Sequence, residues 1–144
     1  MTTFRVSDVR TKGRRPLTAD EERNRQAVLD CYETQFRTRD FDHVRDRYTA
    51  DFVDHNPDVP GGGLDGLAAY FAEFQQRFPE VELHIRRVVV DGDLVALHTE
   101  GRVEPDAPAD SVMEIFRVED GLIAEHWEVV QRAPASSPNP VAMF

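Results

Sequence analysis

Residues 112–131, VMEIFRVEDGLIAEHWEVVQ, alternate apolar and polar side chains on both sides of an Asp120-Gly121 pair. Asp-Gly between two such runs signals a hairpin, because the favoured tight turn needs positive φ and Gly accepts it without steric cost. Regular pairing outward from the turn sets Val118 opposite Ile123, Phe116 opposite Glu125, Glu114 opposite Trp127 and Val112 opposite Val129. Side chains alternate along a strand, so these residues share one face. That face is mostly apolar, yet Glu114 stands in its middle beside Trp127. A carboxylate so placed is costly unless it is paired, protonated or open to a cavity. Glu114 is therefore the first candidate for chemistry. By the same alternation His126 falls on the opposite face with Met113, Ile115, Ala124 and Glu128, unless a bulge shifts the phase.

The chain upstream reads as helices followed by strands. Residues 1–16 form an arm that carries Arg5, Arg10, Lys12, Arg14 and Arg15 against Asp8. Thr18 caps a first helix with Glu21 at the capping-box position, and Val28, Cys31, Tyr32, Gln35 and Phe36 give it a mainly apolar stripe. A second short helix starts near Phe41, with Phe41, Val44 and Tyr48 on one face. Regularity breaks over residues 51–63, where HNPDVPGGG holds two prolines and three glycines in a row. Asp65 is placed to cap a third helix that carries Leu67, Tyr70, Phe71, Phe74 and Phe78, and Pro79 ends it. Strand-like runs at residues 81–90 and 94–103 flank an Asp91-Gly92-Asp93 turn, and the hairpin follows. The expected class is α+β: a curved antiparallel sheet with about three N-terminal helices on its concave side. The expected division is an arm at 1–16, a domain at 17–132 and a Pro- and Ser-rich tail at 133–144.

A formal net charge of -10 argues against nucleic-acid and anionic-membrane partners. No apolar run approaches the length of a membrane helix, and the first residues lack the apolar core of a signal peptide. The single Cys31 forms no internal disulfide, which with the preceding points leads to the expectation of a cytoplasmic protein. His55, His98, Glu114 and His126 show no HxH or HxxxH spacing, so no metal site is expected. Gly61-Gly62-Gly63 lacks the Lys of a phosphate loop, and no cofactor is expected.

Four stretches together carry a resemblance: HNP at 55–57, VALH at 95–98, EIFRVEDG at 114–121 and EHWEVVQ at 125–131. They resemble the SnoaL-like family, and the resemblance implies the α+β cone of nuclear transport factor 2, also described as cystatin-like. The ending, with Asn139 and Met143-Phe144, is similar to that of a subgroup named for SnoaL-like aldol condensation or polyketide cyclisation. In the polyketide cyclases an Asp on a sheet strand acts as acid and base beside a His. The resemblance puts Glu114 at the position of that Asp and His98 at the strand His. Glu128 follows the Trp where the subgroup commonly has Asp.

The leading expectation is a cofactor-free acid/base enzyme acting on a small, apolar carbonyl compound. Burial would lift the pKa of Glu114 above the ordinary ~4.3, toward the range of a general base. His98, one strand away, is expected to assist it. His55, held at a defined angle by Asn56-Pro57, is expected at the cavity mouth, and Tyr32, Phe71, Phe116 and Trp127 are expected to line the cavity. A limonene-type epoxide hydrolase shares the fold but needs an Asp–Arg–Asp set, and Arg117 alternates to the wrong face. A non-catalytic ligand-binding or dimerising scaffold is the alternative from another class. A homodimer through the outer sheet face is expected, built on Met113, Ile115, Ala124, His126 and Val130. The apolar Met143-Phe144 end is expected to dock.

Overall fold

The structure is a computed structural model that describes residues 2–7 and 14–144. Helix α1 spans Ala19–Thr38 and α2 spans Leu64–Arg77. Six strands, β1 Thr3–Val6, β2 Tyr48–Asp54, β3 Glu82–Asp91, β4 Leu94–Arg102, β5 Asp110–Glu119 and β6 Leu122–Gln131, form one sheet in the order β1-β3-β4-β5-β6-β2. The central four are antiparallel, while the edge strands β1 and β2 run parallel to β3 and β6.

The capping box at the start of α1 is present. Thr18 Oγ1 accepts from Glu21 N at 3.2 Å, and Thr18 N donates to Glu21 Oε2 at 2.9 Å. Glu21 does more than cap. Arg15 grips both its oxygens at 2.7 and 2.6 Å, and Gly92 N in the β3–β4 turn donates to it at 3.1 Å. One buried carboxylate thus ties the N-terminal segment, the helix and the sheet together.

The second expected helix is instead two 3-10 turns, Phe41–His43 and Arg45–Arg47. Spacing by three still buries Phe41 and Val44, but Tyr48 already begins β2. The start of the expected irregular segment, through Asp54, belongs to this strand: Tyr48, Phe52 and Asp54 keep one parity and are all buried. The N-cap of α2 is Gly63, not Asp65, which lies inside the first turn. A 3-10 turn at Pro60–Gly62 presses on α2 so closely that a Cβ on Gly66 would sit 1.7 Å from the Pro60 carbonyl oxygen. The residues expected as an arm include β1, whose Thr3 and Val6 pair with Glu82 and Ile85. Arg10 and Lys12 of that arm lie outside the described residues.

The hairpin turn is as expected, with φ of 49° at Asp120 and 81° at Gly121. Its register is not. Val118 faces Ile123, but Arg117 faces Glu125, so β6 carries one extra residue, Ala124. Beyond this bulge every β6 partner moves on by one: Phe116 faces His126, Ile115 faces Trp127, Glu114 faces Glu128 and Val112 faces Val130. A one-residue slip exchanges the two faces of a strand. A second irregularity, at Arg86 in β3, adds to the curvature. The concave face packs Leu83, Ile85, Val95, Leu97, Phe116, Val118 and Ile123 against Val28, Phe36 and Phe71 from the helices.

The convex face differs accordingly from the expected one. Ala124 and His126 are buried and Val130 lines the cavity, whereas Val129, Met113 and Ile115 are 72%, 49% and 40% exposed on the outside. The tail returns to the sheet: Phe144 lies under the Arg86 guanidinium, 5.6 Å from ring centre to Cζ, and the Met143 backbone meets His98. No helix among the described residues is long and apolar enough to cross a membrane.

The Glu21 clasp generates a pH signature. The Arg15 hydrogen bonds, then the Thr18 and Gly92 N–H groups, hold its carboxyl well below the usual range. A depressed pKa stabilises fully above the unfolded-chain value of ~4.3, and the benefit is lost as pH falls toward the folded value. Glu21→Gln is therefore expected to lower Tm at pH 7, with the gap to wild type closing as melting curves are taken toward pH 2.

Candidate functional site

Helices and sheet enclose a cavity of about 150 Å³. Phe36, Tyr70, Phe71, Phe74 and Phe116 wall it, and Arg102 and Arg132 also border it. Its polar end gathers side chains from four elements: Tyr32 from α1, Asp54 from the end of β2, Glu114 from β5, and His126 and Glu128 from β6, with Asn56 just beyond β2.

Glu114 is only 2% exposed. Tyr32 Oη lies 2.9 Å from its Oε2 and 3.2 Å from its Oε1, donating to the carboxylate. Burial first, then the Glu114 charge, keep the Tyr32 pKa well above the ordinary phenol value, so it remains a donor. His126 is 9% exposed, and its Nδ1 lies 3.1 and 3.2 Å from the Asp54 oxygens. Its Nε2 stands 3.4 Å from Glu114 Oε1, close enough for ion pairing, yet among the described residues this buried atom has no partner in hydrogen-bond geometry. Burial opposes a charge on His126, but the Asp54 hydrogen bond and the neighbouring Glu114 outweigh it and push its pKa up to about 10. Asn56 Nδ2 donates to Glu128 Oε1 at 2.8 Å, and Asn56 N donates to Asp54 Oδ1 at 2.9 Å.

Glu114, Tyr32, Phe71 and Phe116, all expected at the site, line the cavity. The other three do not. His98 pairs with Met113 and points to the convex face, where its Nε2 lies 2.9 Å from Ser111 Oγ and its Nδ1 lies 3.0 Å from Arg87. Leu97, its neighbour in β4, takes the register position opposite Glu114. His55 follows inward-facing Asp54 and so faces outward. It stacks on Trp127 at 5.0 Å with the rings 4° apart and meets Glu125 at 2.8 Å. Trp127 is carried to that side by the bulge. Arg117 also lies outside, paired with Glu125 and Glu119, so it completes no Asp–Arg–Asp set.

The residues missed are Asp54, Asn56, His126 and Glu128. Asp54 carries a readable signal, an acid at the same parity as Tyr48 and Phe52. His126 and Glu128 share a face at spacing two, but which face depends on the bulge.

Glu114, His126 and Glu128 place ligand-type atoms within 4.8 Å of one another, a set chemically able to hold a cation, where no metal site was expected. A protonated imidazole, however, has N–H at both nitrogens and no lone pair to offer. With its pKa near 10, His126 would have to lose that proton first. At neutral pH the arrangement is one for proton transfer: a buried carboxylate, an imidazolium with a free N–H, and a second carboxyl facing the first.

The chain belongs to the SnoaL-like family, whose domain matches residues 28–126, well over half of the sequence. Solved structures share the fold. A protein described as a SnoaL-like polyketide cyclase from Jannaschia sp. CCS1 is 20% identical, with a TM-score of 0.67 over 81% of this chain and 90% of that one. IdmH from Streptomyces antibioticus, proposed to be a polyketide cyclase, is 24% identical, with a TM-score of 0.62 over 74% and 91%. An NTF2-like protein from Anabaena variabilis is 16% identical, with a TM-score of 0.67 over 81% and 96%. No curated protein matches the sequence. The α+β cone is thus the fold of this chain, with two α-helices and 3-10 turns where about three helices were expected.

The raised pKa of His126 has a stability consequence. A group whose folded pKa exceeds its unfolded value, ~6.5 for His, contributes fully below that value and loses the contribution as pH rises through the folded value. Stability is expected to fall between about pH 6.5 and 10. Ring-proton NMR is expected to find His126 still protonated at pH 8, and Asp54→Asn is expected to lower its midpoint.

Proposed function

We propose that this protein is an acid–base enzyme acting on a small, largely apolar carbonyl compound, in the manner of polyketide cyclisation or aldol condensation. One observation carries the reading. A deeply buried carboxylate, Glu114, faces an aromatic-walled cavity, 3.4 Å from a buried imidazole nitrogen that has no partner in hydrogen-bond geometry among the described residues. Glu114 removes a proton α to the carbonyl. The electron pair moves onto the carbonyl oxygen, which takes a hydrogen bond from His126 Nε2–H. A donor fixed in place before charge develops stabilises an enolate more than mobile water does. Tyr32 holds Glu114 in position, and Asp54 fixes the imidazole orientation and its charge. That related structures are described as polyketide cyclases supports the same class.

Because the substrate is undefined, the test follows the first chemical step alone. Wild-type protein is incubated in D2O with a panel of small aryl and alkyl ketones, and loss of the α-proton signal is followed by NMR. The expected result is catalysed exchange for at least one ketone, cut about 10²- to 10⁴-fold in Glu114→Gln, with the fold retained by circular dichroism. Exchange no faster with wild type than with Glu114→Gln across the panel overturns the enzyme reading and favours a non-catalytic ligand-binding domain using the same cavity.

The convex face supports a second part of the proposal, pairing with another copy of the chain. Val129, Met113 and Ile115 form an apolar surface beside the His55–Trp127 stack. Contiguous apolar area of this kind commonly marks an interface. Sedimentation at micromolar concentration is expected to show a dimer, and Val129→Glu a monomer with unchanged circular dichroism.

A further inference from the structure

Glu128 was not expected at the site, and the acid–base reading above leaves it without a task. The bulge at Ala124 makes it the direct cross-strand partner of Glu114, and both line the same cavity. Their carboxyl oxygens lie within 4.8 Å of one another, a span that a single water can bridge. Like charges directly opposite on adjacent strands are unfavourable, and low-dielectric surroundings magnify the cost. The two carboxyls are not equivalently supported. Glu114 has the Tyr32 hydroxyl and, at 3.4 Å, the His126 ring. Glu128 is hydrogen-bonded among the described residues only by the neutral Asn56 amide, on Oε1. Asn56 leaves Oε2 free to carry a proton into the cavity.

We propose that Glu128 holds a proton in the resting site and is the acid that completes the reaction Glu114 begins, a proposal that rests on the acid–base reading above. Glu114 takes the α-proton, and the C–H pair becomes the enolate. The enolate carbon attacks a second carbonyl of the same substrate, forming the C–C bond, and that carbonyl's π pair moves to its oxygen. Glu128 gives its proton to this oxygen. The product is a cyclic β-hydroxy carbonyl compound, and the enzyme is left with Glu114 protonated and Glu128 ionised. Transfer of the proton from Glu114 to Glu128, whose carboxyl oxygens lie within 4.8 Å of one another, restores the starting state, so no co-reactant is needed.

The groups facing Glu128 agree with this. Burial and the Glu114 charge, aided by Asp54, push its pKa up to about 7, against His126 and Arg132, which favour the ionised form. The phenols of Tyr32 on α1 and Tyr70 on α2 also feel its charge and stay protonated.

The test is a carbon NMR titration of protein labelled at the Glu δ-carbon, together with product analysis for the ketone that exchanges best, offered as its linear diketone. A neutral carboxyl signal is expected at pH 5.5, titrating near 7 and absent from Glu128→Gln. Glu114→Gln is expected to move its midpoint downward, because the repelling charge is gone. In Glu128→Gln, ring closure is expected to fall about 10²- to 10⁴-fold, and further than α-proton exchange falls in the same variant. Absence of the neutral signal at pH 5.5, its persistence in Glu128→Gln, or unimpaired ring closure in that variant overturns the proposal. A fall in exchange as large as the fall in ring closure in Glu128→Gln also overturns it, since Glu128 would then be needed for the first step. Failure of Glu114→Gln to reduce exchange sinks the base assignment instead. Should Glu128→Gln not fold, Glu128→Asp also deletes the labelled signal and carries the same measurement.

Discussion

The cavity depends on the bulge in β6. Were Ala124 paired as an ordinary ladder residue opposite Arg117, Glu125 and Trp127 would fall on the concave side and His126 and Glu128 would turn outward. The bulged residue is small and itself buried, so the strand absorbs it without exposing an apolar group. From that point the strand delivers His126, Glu128 and Val130 inward and Trp127 and Val129 outward. A bulge therefore does what no single side-chain substitution achieves: it reassigns a whole half-strand between chemistry and surface. The same event furnishes the convex face with Trp127, on which His55 stacks.

What the bulge assembles is electrostatically unbalanced. Asp54, Glu114 and Glu128 surround one imidazole in a cavity with aromatic walls. Buried ionic groups persist when each has a hydrogen-bond partner and rarely otherwise. Here the partners are distinct: Tyr32 for Glu114, Asn56 for Glu128, and the Asn56 backbone N–H together with His126 for Asp54. Asn56 thus serves two of the three acids from one position, which gives the HNP stretch its structural meaning. Its side chain and backbone enter the site while His55 stays outside. Pro57 keeps the chain extended as it leaves Asn56.

The fold was legible because it rests on local chemistry that acts at short range. The Thr18–Glu21 box, the Asp-Gly turn and the alternation in β3 to β6 each state their geometry in a few residues. The site was legible only where a side chain broke an obvious pattern, as Glu114 does on its apolar stripe. Tyr32 followed from the helix stripe that faces the sheet. His98 was misplaced because adjacency of strands does not fix phase, and Leu97 took the position opposite Glu114. His126 and Glu128 were assigned to the wrong face by a rule that holds only for an unbulged ladder, and EHWEVVQ contains no Gly or Pro to mark the irregularity. Strand β2 was hidden by its two aspartates, poor strand formers, although Asp54 is the residue that the imidazole requires.

These features bear on how a carboxylate as long as Glu is held at position 114. A longer side chain reaches further from β5, and Tyr32 on α1 receives it at 2.9 Å. The hydroxyl comes from the opposite wall, so the carboxylate is fixed at both ends rather than swinging on its extra methylene. Fixing it costs conformational freedom once, during folding, and not again when a substrate binds. A Glu clamped in this way stands between the strand that carries it and the helix that closes the cavity. The hydrophobic packing of α1, through Val28 and Phe36, therefore sets the position of the Glu114 carboxylate as surely as the sheet does.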